Sequence, residues 1–338
     1  MNARVGLIGY GLAGEVFHAP LIASEPGLSL SFIVTGNPER RARAERSYPD
    51  TAVLGSPDEL WARAGELDLI VVAAPNRAHL PLAGAAIEAG VPVVVDKPLA
   101  GTAAEAAELV ERAERSGVIL TVFQNRRLDG DYLTARKLIE QGKLGSVHRF
   151  ESRFERWQPE VDEGWRELGA SEEGGGVLLD LGSHLVDQAL QLFGPARSVY
   201  GELDSRRAGA KVDDDSFVAI THENGVRSHL WMSATAAQFG PRLRVLGDRA
   251  AFVKYGLDPQ EDALAGGARP GDNGWGLDPE ELWGALGTVE GTRRVATEAG
   301  AYERFYAGVG AALRGEAPPP VDPRDAVAAL EVLDAARG

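Results

Sequence analysis

Lys97 closes the run Val93-Val94-Val95-Asp96-Lys97-Pro98, and Asp180 and His184 stand four residues apart after Gly174-Gly175-Gly176. An ammonium can hydrogen-bond a reacting oxygen and stabilise the negative charge that develops on it. An imidazole with an ordinary pKa of about 6.5 is mostly neutral near pH 7 and can accept a proton. A carboxylate can orient the substrate or a neighbouring base. Positions i and i+4 share one helical face, so Asp180 and His184 are expected side by side. The lysine follows an apolar run, the place of a residue at the carboxyl end of a parallel strand, where open α/β sheets bind ligands. Pro98 biases the residue before it away from the helical region. A plain structural account also fits: a surface lysine before a loop, an aspartate capping a helix, a histidine satisfied by its neighbours.

Gly9-Tyr10-Gly11-Leu12-Ala13-Gly14 matches G-x-G-x-x-G directly after Val5–Ile8 and opens a helical pattern. In a dinucleotide site the first glycine permits the tight turn and the second admits the pyrophosphate to the backbone. The third lets helix and strand pack closely, and the helix start offers unpaired N–H groups. The rival is a tight turn in an unrelated α/β protein, or a methyltransferase-like relative. The next strand pattern ends Ile33-Val34-Thr35-Gly36-Asn37, with no acid to hold a ribose 2′-OH. Thr35, Asn37 and one of the arginines Arg40 and Arg41 offer a hydroxyl, an amide and a cation, the groups a 2′-phosphate requires. NADP is therefore expected over NAD. Against this, Arg40, Arg41, Arg43 and Arg46 also fit the solvated face of a helix.

These groups need a frame. Val5–Ile8, Leu30–Val34, Leu69–Ala73, Val93–Val95 and Ile119–Phe123 read as buried strands, alternating with helical stretches such as Leu80–Ala89 and Ala103–Ser116. That alternation predicts a doubly wound parallel sheet with helices on both faces. Past Arg126 the pattern changes. A helix near Leu133–Gln141 precedes strand-like runs at Val147–Trp157, Ser198–Asp204, Phe217–His222, Arg227–Ser233, Leu243–Leu246 and Ala251–Tyr255. A large, mostly antiparallel sheet in an α+β domain is expected there. A helix over Leu178–Phe193 interrupts it, and Gly194-Pro195 ends that helix. Leu264–Trp275 reads as a loop, and a last helix spans Arg324–Arg337. The expected division is a Rossmann domain over 1–124 and a substrate-binding, oligomerisation domain over 125–338, with the last helix free to pack back on the first domain.

The chain has 338 residues, 35 basic and 50 acidic, for a net charge of −15. Such a surface repels nucleic acid and anionic lipid. The absence of cysteine excludes a disulfide framework, a thiolate nucleophile and a cysteine-ligated metal. No H-x-x-x-H pattern occurs, and no metal is expected. The opening MNARVGLIGYGLAG reads as strand and turn rather than a leader, and no run approaches roughly 18 apolar residues. A cytoplasmic protein is expected.

Taken in order, Gly9–Gly14, Asp96-Lys97-Pro98 and Gly174–His184 resemble the G-x-G-x-x-G, (E/D)-K-P and G-G-G-x-x-x-D-x-G-x-H motifs of the Gfo/Idh/MocA oxidoreductases. Asp96 stands where glutamate is commoner. Phe17-His18-Ala19-Pro20-Leu21, Asn125-Arg126-Arg127, Trp165-Arg166 and Tyr255–Asp262 resemble the bacterial NADP-dependent scyllo-inositol dehydrogenase-like branch. The resemblance implies catalytic roles for Lys97, Asp180 and His184, with Lys97, Arg126, Asp180 and His184 on the substrate. It implies cofactor contacts from Gly9, Tyr10, Gly11, Leu12, Ala13, Gly14, Thr35, Asn37 and Arg40. It implies further contacts from Ala74, Pro75, Asn76, His79, Asp96, Lys97, Pro98, Asn125, Trp165 and Arg166. The implied activity is hydride transfer between NADP and a secondary alcohol or ketone of a polyol, inositol or sugar, in a homodimer or homotetramer. Either His184 or Lys97 can be the proton carrier. A glycosidase that uses bound nicotinamide transiently, or an inactive cofactor sensor, are the rival readings.

Overall fold

The computed structural model describes residues 2–161 and 175–338. Its first sheet holds β1 (Ala3–Ile8), β2 (Leu28–Val34), β3 (Ala52–Leu54), β4 (Leu69–Val72), β5 (Val93–Val95) and β6 (Leu120–Val122). The order is β3-β2-β1-β4-β5-β6 and every pair is parallel. Each residue of β4 and β5 is buried, so these strands carry unbroken apolar runs rather than alternation. β3 escapes the sequence pattern because it is three residues long, lies at the sheet edge and is partly exposed. The helices α1 (Ala19–Ser24), α2 (Pro38–Ser47), α3 (Pro57–Trp61), α4 (His79–Glu88) and α5 (Ala103–Ser116) connect the strands. Strand order reverses between β1 and β4, which opens a crevice at their carboxyl ends.

After α6 (Gly130–Glu140) comes a second sheet, of β7 (Val147–Glu155), β8 (Ala196–Asp204), β9 (Asp215–His222), β10 (Arg227–Ser233), β11 (Leu243–Gly247), β12 (Ala251–Lys254), β13 (Gly284–Thr288) and β14 (Gly291–Val295). The order is β14-β13-β12-β11-β7-β10-β9-β8, antiparallel except where β7 pairs with β10. The two last strands, Gly284–Thr288 and Gly291–Val295, carry glycine, threonine and arginine instead of an apolar run, and the sequence pattern misses them.

Strict alternation sorts the residues of β9 and β10. Val218, Ile220, Leu230 and Met232 are buried, whereas Phe217, His229 and Trp231 are half-buried on the opposite side. Phe217 and Trp231, but not their apolar neighbours Val218 and Leu230, stand on that face. Val218 and Leu230 face inward, because neighbours along a strand point to opposite sides.

The buried face is covered by α7 (Ser183–Phe193) and by α10 (Pro323–Arg337), which respectively precede and follow the remaining helices α8 (Gln260–Ala265) and α9 (Glu303–Leu313). α10 also lies on α5 of the first unit, where Asp334 accepts a bond from the Ala103 N–H at 2.8 Å. Two widened π turns interrupt the helical geometry, at Ala13–His18 and Leu178–Gly182. The second forms the first turn of what reads in sequence as one helix, so α7 proper begins at Ser183. Such turns recur at functional sites, and here each one borders the crevice.

Candidate active site

The three glycines of the first turn are required for different reasons. Gly9 has φ +102°, and a Cβ there would lie 2.3 Å from the Ala73 carbonyl oxygen. A Cβ on Gly14 would lie 2.1 Å from the Gly9 carbonyl oxygen. On Gly11 the nearest atom would be Arg40 Nη1, at 3.6 Å. Packing therefore demands glycine at 9 and 14, whereas at 11 the space is open. That is the arrangement expected where a phosphate approaches the backbone.

The crevice above this turn measures about 580 Å³ and is lined by Gly9–Ala13, Thr35, Asn37, Arg40, Ala74, Pro75, Asn76, Lys97 and Pro98, among others. Asn37 caps α2, its Oδ1 accepting the Arg40 N–H at 3.0 Å. Arg41 donates to the Val53 carbonyl at 3.0 Å and Arg43 is paired with Glu15 at 2.7 Å. Arg40 alone of these arginines lines the crevice, and it has no ion pair among the described residues. The crevice fits a dinucleotide. Held there, the cofactor would lie along residues 9–13, 35–40 and 74–76.

His79 sits behind this wall. Its Nδ1 lies 2.7 Å from the Pro98 carbonyl oxygen and its Nε2 2.9 Å from that of Ala74. Burial holds its pKa below the usual histidine value. It joins the Ala74-Pro75 loop to the Lys97-Pro98 loop, whose peptide bond is cis. Asp96 accepts the Lys97 N–H at 2.8 Å. Burial acts to raise the Asp96 carboxyl, yet His18, Lys97 and His79 hold it below the ordinary range. His18 is itself buried, with Nδ1 2.6 Å from the Tyr306 hydroxyl and Nε2 3.9 Å from Asp96.

Lys97 reaches across to the second unit. Its Nζ donates to the Asp180 carbonyl at 2.7 Å and to Asp180 Oδ1 at 2.9 Å. An ammonium has three donors, so one is left for a ligand. Asp180 stands in the second π turn, and His184 follows it on α7. Lys97, Asp180 and His184 line a second cavity together with Asn125, Arg126, Phe154, Arg156 and Glu261. Lys97, Asp180, Asp96, Leu12 and Ala13 border both cavities. Burial, reinforced by the cations Lys97 and Arg126 and opposed by Asp180, pushes the His184 pKa well below its usual value. His184 is thus a neutral imidazole at pH 7, and its Nδ1 has no hydrogen-bond partner among the described residues.

Arg126 is buried and fixed on several sides. It donates to the Tyr302 hydroxyl at 3.1 Å and to Glu261, and it lies 3.6 Å from Asp129. Gln188, one turn beyond His184, donates to the Arg126 carbonyl at 2.7 Å. The loop after β6 is thereby tied to the helix that carries His184. Glu261 and Arg156 were not among the sequence candidates. Glu261 lies within the Tyr255–Asp262 segment, whose resemblance assigned no role to it, and Arg156 follows the end of a strand with no spacing signal. Trp165 and Arg166 lie outside the described residues.

Comparison with known proteins matches this arrangement. A family profile described as an oxidoreductase family with an NAD-binding Rossmann fold covers residues 3–124, and its C-terminal alpha/beta partner covers 136–337. The chain belongs to the Gfo/Idh/MocA oxidoreductase family. Among its relatives, the uncharacterized oxidoreductase YdgJ of Escherichia coli is 42% identical, over 98% of this chain and 95% of YdgJ. A Bacillus subtilis protein named scyllo-inositol 2-dehydrogenase (NADP(+)) IolW is 34% identical, over 98% of this chain and 92% of IolW. The solved structure of YvaA from Bacillus subtilis, described as an oxidoreductase, superposes with a TM-score of 0.93 at 33% identity. It covers 100% of this chain and 95% of YvaA. This Gfo/Idh/MocA protein is an oxidoreductase, and no described helix is long and apolar enough to cross a membrane.

Proposed function

We propose that this oxidoreductase is an NADP-dependent dehydrogenase that acts on a secondary alcohol or ketone of a neutral polyol, inositol or sugar. The observation that carries the proposal is the position of the Lys97–Asp180 pair on the shared wall of the two cavities, with His184 beside it. A nicotinamide, when bound, supplies hydride acceptance at its ring. The chain's own groups handle the oxygen and the proton. The third N–H of Lys97 holds the reacting oxygen and stabilises charge on it as the proton leaves. His184, kept neutral by burial, takes that proton. Asp180 fixes the ammonium and orients neighbouring hydroxyls.

Charge supports a neutral substrate. Among the described residues, each cation of the substrate cavity has a carboxylate neighbour: Lys97 with Asp180 at 2.9 Å, Arg126 with Glu261, and Arg156 with Asp180 at 3.7 Å. NADP is favoured by Arg40 and by the lack of an acid at Thr35–Asn37. The name of IolW, an NADP-dependent inositol dehydrogenase, agrees with both readings. Association through the open face of the second sheet, around Phe217, His229 and Trp231, belongs to the same proposal.

The test is a panel of polyols and sugars assayed with NADP and NAD by nicotinamide absorbance. Turnover of a neutral polyol or sugar with net production of NADPH is expected. Turnover confined to charged substrates, or bond cleavage without net NADPH, would overturn it.

A further inference from the structure

We infer that Glu261 reads a substrate hydroxyl remote from the reacting carbon, and that its pairing with Arg126 excludes anionic substrates. The inference rests on the polyol reading above and deepens it. Glu261 lies in the first turn of α8, a short helix packed against the π turn that follows the dinucleotide loop. It lines the same cavity as Lys97, Asp180 and His184, yet belongs to a different element from each of them. Its Oε2 accepts from Arg126, and its Oε1 has no partner among the described residues. The carboxylate is about one-third exposed, whereas the guanidinium it holds is 6% exposed.

Two consequences follow from that geometry. Arg126 is anchored by Tyr302 and Asp129 below and by Gln188 through its backbone. Glu261 therefore holds a fixed position and offers an acceptor to a hydroxyl, without the entropy cost of ordering a loose side chain. Charge-assisted bonds of this kind are roughly twice as strong as neutral ones. Conversely, a substrate carboxylate in this corner would meet the negative charge of Glu261. Removing that charge would leave a buried guanidinium short of one counter-charge, and an anionic ligand could supply it.

The substitution Glu261→Gln separates these effects from a structural one. For a polyol turned over by the parent enzyme, KM should rise roughly three- to tenfold, because the amide oxygen still accepts the hydroxyl but without the charge assistance. The fall in kcat should be smaller than the rise in KM. Glucuronate, used as a competitive inhibitor against that polyol, should bind the variant at least tenfold more tightly than the parent. Glu261→Asp, which keeps the charge, should retain the parent's rejection of glucuronate. NADPH titration of each variant verifies that the dinucleotide site is intact. Unchanged KM and unchanged glucuronate inhibition in Glu261→Gln, with the parent active on polyols, would overturn the role of Glu261 alone. A parent inactive on every neutral polyol and sugar would overturn the polyol reading and this inference together.

Discussion

His184 is held neutral by its surroundings, and that has a measurable sign. Burial, with Lys97 and Arg126 adding, lowers its folded pKa well below the usual value, while the unfolded chain keeps about 6.5. The unfolded state thus binds more protons below pH 6.5, and stability is lost as pH falls through that value. The rate follows the same group. The acid limb of kcat/KM for alcohol oxidation is expected well below 6.5, and a midpoint at or above 6.5 would show that His184 is not the base. Arg40 gives a second residue-scale prediction. Arg40→Ala should weaken NADP binding roughly ten- to hundredfold, the scale of a lost charged hydrogen bond, and leave NAD within about threefold. Equal losses for both nucleotides in a fluorescence titration would contradict a 2′-phosphate contact.

At the scale of elements, the dinucleotide turn separates packing from binding. Gly9→Ala and Gly14→Ala should each destabilise the fold by at least about 2 kcal/mol, from backbone strain and direct collision with carbonyl oxygens. Gly11→Ala meets no such collision and should fold with stability within about 1 kcal/mol of the parent, yet bind NADPH at least tenfold more weakly. Thermal unfolding and NADPH titration distinguish the two classes. Normal NADPH affinity in Gly11→Ala would mean that no phosphate approaches there.

The same elements show what a sequence discloses. The five buried strands of the first sheet were legible because they are continuous apolar runs between helices. α5 was legible to the residue, since Thr102 and Glu105 form a capping box and Gly117 ends it in a left-handed conformation at φ 63°. β3, β13 and β14 were not, because these short strands are partly exposed and bury too little to need an apolar pattern. α9 was obscured by Gly308 and Gly310, which lower helix propensity; a Cβ on Gly308 would lie 2.9 Å from Pro320. Lys97, Asp180 and His184 stood out through fixed spacing and motif order. Glu261 and Arg156 acquire meaning only when α8 and the end of β7 are brought to one cavity.

Across the whole molecule, two sheets are joined by contacts that also set the site. α10 packs on α5, α7 and β8 together, and Thr121 of β6 donates to the Val321 carbonyl at 2.7 Å. Lys97 and Asp180, from opposite sides of the junction, meet at 2.9 Å. The open face of the second sheet presents Phe217 and Trp231, whose rings lie 5.1 Å apart, with Arg153 stacked 3.9 Å over Trp231. Half-exposed aromatics with an arginine are the composition of an association surface. A homodimer or homotetramer is expected by light scattering at micromolar concentration, and Trp231→Glu should yield a folded species of lower mass. A monomeric parent would contradict this.

The most direct measurement of the central claim is the turnover of Lys97→Ala and His184→Ala on a polyol confirmed for the parent enzyme. Both groups act on the reacting oxygen and its proton, so each loss should lower kcat by roughly 10²–10⁴. NADPH affinity should change far less, because the groups lining the dinucleotide crevice lie mostly along residues 9–13, 35–40 and 74–76. The double variant should lose less than the product of the single losses, as groups acting as one unit do. Full turnover by either single variant would remove that residue from the chemistry, and full turnover by both would contradict the assignment of this site.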